Sequence, residues 1–187
     1  LSAAASAINL NDASNDFTLS VTVNTATNLT LRDANALVLG AVSITGALSL
    51  TAGGAVTQTG ALTVGTTTSL TAGANDITLS NAGNNFTGAV TVVSGNNVSL
   101  TDLNAIDLGA SSVSGALSVS AAGAGITSIT QSGALSVGTT TSLTPGAGNS
   151  VLLDNAANDF TGAVGVANGL NLPLRDANAL VLGLTAG

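Results

Sequence analysis

Nine aspartates and two arginines are the only charged side chains in this 187-residue sequence. It has no His, Cys, Tyr, Met or Trp, and a reading of the chain finds no Lys or Glu. General acid–base chemistry would therefore rest on Asp alone. Asp102 and Asp107 lie close enough in sequence to suggest a carboxylate pair, but the first repeat has Asp33 and Val38 in their places. Carboxylate clusters that cleave polysaccharides also work with basic partners. Both arginines stand instead in Leu-Arg-Asp, as Arg32–Asp33 and Arg175–Asp176, adjacent residues that read as solvated corners.

Hard oxygen ligands for calcium are present in "NAGNNF" (81–86) and "NAANDF" (155–160). The β-helical calcium repeat GGxGxD is absent, and turn formation explains both stretches equally well. "GTTTSLT" recurs at 65–71 and 138–144, and rows of outward Thr are one way to bind ice. The outward column, however, mixes Thr with Ser, Val, Asp and Gly, and an ice-binding face should be more uniform. No residue is assigned as catalytic, cofactor-binding or metal-binding, no cofactor is expected, and the chain reads as a non-enzyme.

The composition narrows the classes further. A net charge of −7 argues against nucleic-acid binding, which draws on a basic face. Apolar residues make up 45% and charged residues 6%, so the chain has a core to bury but only of small side chains. No apolar run reaches the roughly 18–20 residues of a membrane helix. A first residue of Leu rather than Met, with no visible signal peptide, suggests a processed product or an excised fragment.

The elements that position these residues repeat. Phe17, Phe86 and Phe160 are the only aromatic residues, at offsets of 69 and 74. The same offsets carry Val21 to Val90 and Val164, Leu29 to Val98 and Leu172, and Leu37 to Ile106 and Leu180. Arg32–Gly40 and Arg175–Gly183 are identical, "RDANALVLG", with a looser copy at Thr101–Gly109. The long repeats run 15–83, 84–157 and, in part, 158–187. The extra residues of the second copy fall in the Gly-rich "AAGAGITS" and "PGAGNS".

Within each repeat, short runs alternate apolar residues with Thr or Ser and are punctuated by Gly, Asn and Asp, the strand-and-turn pattern. One-dimensional periodicity with insertions at corners favours a solenoid over a sandwich. The expected fold is all-β: a single right-handed parallel β-helix over 1–187, about eight coils of about 23 residues, with a three-coil superrepeat. Val21, Val23, Leu29, Leu31, Leu37 and Leu39 should point inward, as should the three Phe near corners. Asp33, Asp102 and Asp176 should bond their own backbone at left-handed corners. Pro173 removes one ladder donor and marks an edge coil or local break. Neither end carries a polar cap, so the chain reads as cut from a longer array or as stacking on neighbouring copies.

"GALTVGTTTSLTAGANDITLSNAGNNFTGAVTV" (60–92) resembles the repeat regions of filamentous-haemagglutinin-like adhesins of Gram-negative bacteria, which are large exoproteins and autotransporter passengers. The resemblance extends over the whole chain. It implies a right-handed β-helix, secretion through an outer-membrane pore, display at the cell surface, and adhesion or matrix building. The expected role is a stalk or fibre in a surface adhesin, with a self-assembling filament or sheath as the alternative and an ice-binding solenoid behind both. Expected partners are other copies of the chain, by self-association or end-to-end stacking, and a receptor on a host or neighbouring cell. Neither nucleic acid nor a membrane span is expected.

Overall fold

The computed structural model describes residues 1–123, 125 and 127–183. All regular elements are β-strands, and every ladder between them is parallel. The chain winds into a parallel β-solenoid of about seven turns, spaced about 21 residues apart. At about 4.8 Å per turn this is a rod about 34 Å long.

Three faces emerge from the pairings. Face one stacks Ile8–Leu10, Leu29–Asp33, Leu48–Ala52, Thr68–Thr71 and Val90–Ser94. It continues through Ser111–Val113, Leu135–Val137 and Asp159–Phe160. Face two runs from the start of Leu37–Ile44 through Val56–Gln58, Ile77–Leu79, Val98–Asp102, Leu117–Ala121, Thr141–Pro145 and Val164–Val166. Face three holds Val21–Ala26, the end of Leu37–Ile44, Leu62–Val64 and Asn85–Phe86, then Ile106–Leu108, Thr127–Gln131 and Ser150–Val151.

At two places the ladder turns a corner without a break. Leu37–Ile44 bends between Leu39 and Val42, and Val21–Ala26 beneath it follows both halves. In the second repeat Val90 pairs with Leu108 before the bend, and the Val92 N–H meets Ser111 Oγ after it, at 3.0 Å. A glycine sits at each bend because of what lies one turn earlier. A Cβ on Gly40 would strike the Thr22 side chain, and one on Gly109 would strike Thr91. The third copy, Gly183, faces Gly165 instead and has room.

The alternation of each strand places one set of side chains inside. Val21, Val23, Leu29, Leu31, Leu37 and Leu39 are all buried, in one continuous core with their counterparts on later turns. Phe86 and Phe160 are buried, whereas Phe17 is only half-buried. The cause is its neighbour: Phe86 stacks on Val64 and Phe160 on Val137, but among the described residues no strand pairs with Phe17. An open depression of about 490 Å³, lined by Phe17, Leu10, Leu19 and Val21, lies there instead. At the opposite end Leu172 and Leu182 remain exposed, because no further described strand covers them.

The turn is shorter than the 23 residues expected, and the long repeat is correspondingly not a whole number of turns. Leu29 stacks under Leu48, Thr68 and Val90, three turns on, and its equivalent Val98 lies eight residues further, on the next face. Val98 in turn stacks under Leu117, Thr141 and Val164, and its equivalent Leu172 again lies eight residues further. Leu172 falls on face three, where the Val151 N–H donates to Asn171 C=O. Each repeat thus advances three turns and one face.

The corners also differ from expectation. Among the described residues only Ala5, Asn168, Gly73 and Gly148 have positive φ, so the corners at Asp33–Asn35, Asp102–Asn104 and Asp176–Asn178 are not left-handed. They work through hydrogen bonds instead. Pro173 behaves as its chemistry requires. The ladder runs from Val151 N–H to Asn171 C=O and from Leu153 N–H to Pro173 C=O, and Pro173 has no N–H to return to Val151. Strand structure beyond it is reduced to isolated bridges, Leu153 with Leu174 and Val164 with Leu182. The second-copy insertion "AAGAGITS" (121–128) runs from the end of Leu117–Ala121 to the start of Thr127–Gln131, with residues 124 and 126 outside the described set. The close of the chain, 184–187, is also outside it.

Candidate functional site

The polar side chains that recur with the repeat build two kinds of corner. In the first, an aspartate at a strand end reaches back 16 residues to a phenylalanine backbone. Asp102 Oδ2 accepts the Phe86 N–H at 2.8 Å, and Oδ1 accepts the Asn104 N–H at 2.7 Å. Asp33 does the same with Phe17 at 3.3 Å and Asn35 at 3.0 Å. Asp176 repeats it with Phe160 at 3.4 Å and Asn178 at 3.3 Å, through one oxygen. The bond to the residue two ahead is the expected turn, and the bond to Phe ties two segments of the chain together. Burial pushes the Asp102 carboxyl above its ordinary value, while its two N–H donors pull the other way. Asp33 and Asp102 are buried, and each of their oxygens already accepts one backbone N–H, so neither carboxylate is presented to solvent.

The second corner is an amide clasp. Gln58 Nε2 donates to Asn84 Oδ1 at 2.8 Å, and Asn84 Nδ2 donates to Gln58 Oε1 at 2.9 Å. Asn84 Oδ1 also accepts the Leu62 N–H, and Nδ2 donates to Leu79 C=O. Gln131 and Asn158 form the same reciprocal pair, both bonds at 2.8 Å, with Leu135 N–H and Leu153 C=O in the matching places. Asn84 and Asn158 are fully buried. "NAGNNF" and "NAANDF" therefore use these buried amides to satisfy backbone and each other, not to form an open oxygen cage. The sequence reading missed Gln58 and Gln131. A signal existed, since they are the only two glutamines and stand in matching "TQTG" and "TQSG".

The remaining candidates are scattered. Asp102 points inward and Asp107 outward from different faces, so the two do not form a pair. Arg32 is exposed while adjacent Asp33 is buried, and Arg175 is exposed on the last turn. In the Thr-rich stretches, Thr66, Thr67, Thr139 and Thr140 are exposed at corners. Thr68 and Thr141 point into the core, their hydroxyls without a hydrogen-bond partner. Asp76 sits exposed at a corner, where Oδ1 accepts from Asn96 Nδ2, Asn97 N–H and Asn97 Nδ2; the Asn97 backbone bond leads in lowering its pKa. Asn97 Oδ1 passes the pattern on to the Ala116 N–H at 3.1 Å, as Asn28 Oδ1 does to Ala47 at 2.8 Å. Such bonds couple non-equivalent residues on successive turns. Among the described residues no three His, Cys, Asp or Glu side chains gather to hold a metal ion.

These features define a repeat β-solenoid whose recurring polar groups hold corners. The chain belongs to a family described as repeats of unknown function (DUF5649), matched over residues 26–93 and 95–167, well over half its length. The two matched segments begin 69 residues apart, the spacing of Phe17 and Phe86. No curated protein and no solved structure matches the chain.

Proposed function

We propose that this chain is a length of rigid rod in a secreted bacterial surface protein, serving as a stalk or fibre that carries or links other parts. The observation that carries this reading is where the polar side chains are used. The recurring Asp, Gln and Asn are engaged with backbone at corners, and the core is one uninterrupted column. Such a molecule resists bending and offers length. The resemblance to filamentous-haemagglutinin-like adhesins supplies the surface location and the expected adhesive role. A self-assembling filament is the second reading, favoured by outward columns that carry little charge. Ice binding is less well supported, since the longest hydroxyl column on face two, Thr78–Ser99–Ser118–Ser142, is mostly Ser and lacks the threonine methyl.

Immunogold electron microscopy of native cells with antibody to this chain tests the proposal. Gold along isolated rods outside the outer membrane supports a stalk, and gold along continuous ordered filaments supports the second reading. Gold confined to the cytoplasm overturns both.

A further inference from the structure

Because each repeat advances three turns and one face, equivalent residues do not line up along the rod. Leu29 lies on face one, Val98 on face two and Leu172 on face three. The exposed corner asparagines that accompany them, Asn35, Asn104 and Asn178, therefore sit on three different sides. A repeat rises about 16 Å, and the same side returns only after ten turns, about 48 Å. A second observation is independent of the repeat register. The outward columns are alike on all three faces. Face one carries Thr30–Ser49–Ser69–Thr91, face two Thr78–Ser99–Ser118–Ser142, and face three Ser43–Thr63–Asn85. These columns hold short, uncharged, hydrogen-bonding side chains; the charges that stand in outward stacks, Arg32 against Thr51, Asp159 against Ser136 and Asp107 against Thr130, are scattered singly over faces one and three.

We infer that an array of this repeat is a threefold-screw rod with three near-equivalent sides, and that the partner this surface fits is a second copy of the same array packed alongside. A flat ligand surface would meet any given corner only once in three repeats. A shift by one repeat with a turn by one face carries the rod onto itself, so each of its three sides can meet a neighbouring copy through the same contact, displaced by one repeat from side to side. Small neutral side chains let the rods approach closely, with no column of like charge to hold them apart. The inference rests on the solenoid and not on where the protein is displayed, so it stands or falls separately from the stalk reading.

Two measurements on the 187-residue chain test its two parts. For the screw, spin labels are placed by Asn35→Cys with Asn104→Cys, and by Asn35→Cys with Asn178→Cys. On a straight register the second distance is twice the first, whereas on a screw it falls well short of twice, because the sideways separation is shared. A ratio of two overturns the screw. For the packing, electron microscopy of the concentrated protein should show rods side by side. Ser118→Lys, on one face, should leave the bundles in place. Ser49→Lys, Thr63→Lys and Ser118→Lys together should disperse them to single rods of unchanged β-type circular dichroism. Isolated rods in the wild type, or full dispersal by Ser118→Lys alone, overturns the packing.

Discussion

Replacing Gly109 by Ala tests how tightly one turn is fitted to the next. A Cβ built there lands inside van der Waals contact of Thr91 Oγ1, and 3.3 Å and 3.5 Å from Thr91 Cβ and Cα. Rotating the Thr91 hydroxyl away relieves only the first of these. Overpacking of this kind costs about 1–3 kcal/mol. Gly109 has no positive φ, so alanine fits the backbone and recovers about 0.4–1 kcal/mol through the unfolded chain. The net expectation is a loss of about 1–2 kcal/mol, read as a lower urea midpoint at constant slope. Gly183→Ala is the matched control. Its new Cβ meets nothing closer than 3.5 Å, and the change should be neutral or slightly stabilising. Thr91→Ala combined with Gly109→Ala should recover about 1 kcal/mol beyond additivity, because the two sites touch. Gly109→Ala as stable as wild type, or a double variant that is simply additive, refutes the claim that the glycine is there for the threonine beneath it.

Three other perturbations have definite outcomes. Asp102→Ala strands the buried Phe86 N–H and the Asn104 N–H, and should cost about 2–4 kcal/mol in urea unfolding. Asp102 also sets a pH dependence. Its folded pKa lies above the ordinary 3.8, so its contribution is fully present below 3.8 and is lost as pH rises through the folded value. Asp12 and Asp76 are shifted the other way, and their contribution is lost as pH falls below 3.8. Relative to Asp102→Asn, the wild type should therefore gain stability on mild acidification toward 3.8, measured by urea melts across that range. Gln58→Ala removes both side-chain bonds of Asn84, leaves those to Leu62 N–H and Leu79 C=O, and should cost about 1–2 kcal/mol. Gln131→Ala should match it, and the double variant should be additive, since the clasps share no residue. Thr68→Val replaces a buried, unpartnered hydroxyl by a methyl and should raise the unfolding free energy by about 1 kcal/mol, read as a higher urea midpoint, whereas Thr66→Val, on an exposed corner, should not.

The inward columns were legible because a strand alternates. Val21 with Val23, Leu29 with Leu31 and Leu37 with Leu39 could only share a side. The length of the turn was harder, because a 69-residue repeat divides as well into three turns of 23 as into three and a third of about 21. Only the pairing of Leu29 with Leu48 separates the two. The corners were legible as corners but not in their chemistry. Asp102 reads as a turn residue from its bond to Asn104, and nothing local in sequence announces the second bond to Phe86. Gln58 hid for a related reason: its partner Asn84 lies 26 residues away, across a turn boundary that had first to be placed. The mixed outward positions that argued against an even hydroxyl face are present in the stacks themselves, where Val38 lies against Thr57, Asp107 against Thr130 and Ser142 against Gly165.

The pairing of each strand with its neighbour one turn away has a kinetic side. Ladder partners are separated by as few as 18 residues, Val21 to Leu39, and by no more than 24, Leu117 to Thr141. The loop to be closed is thus nearly the same at every step, and its entropic cost does not grow as turns are added. A finished turn offers the next one a ready row of backbone donors and acceptors. Folding then proceeds as growth from an end or a nucleus, at a rate per turn independent of total length, unlike a β-sandwich in which distant segments must first meet. Such a chain can be lengthened by duplication without making its folding problem any harder.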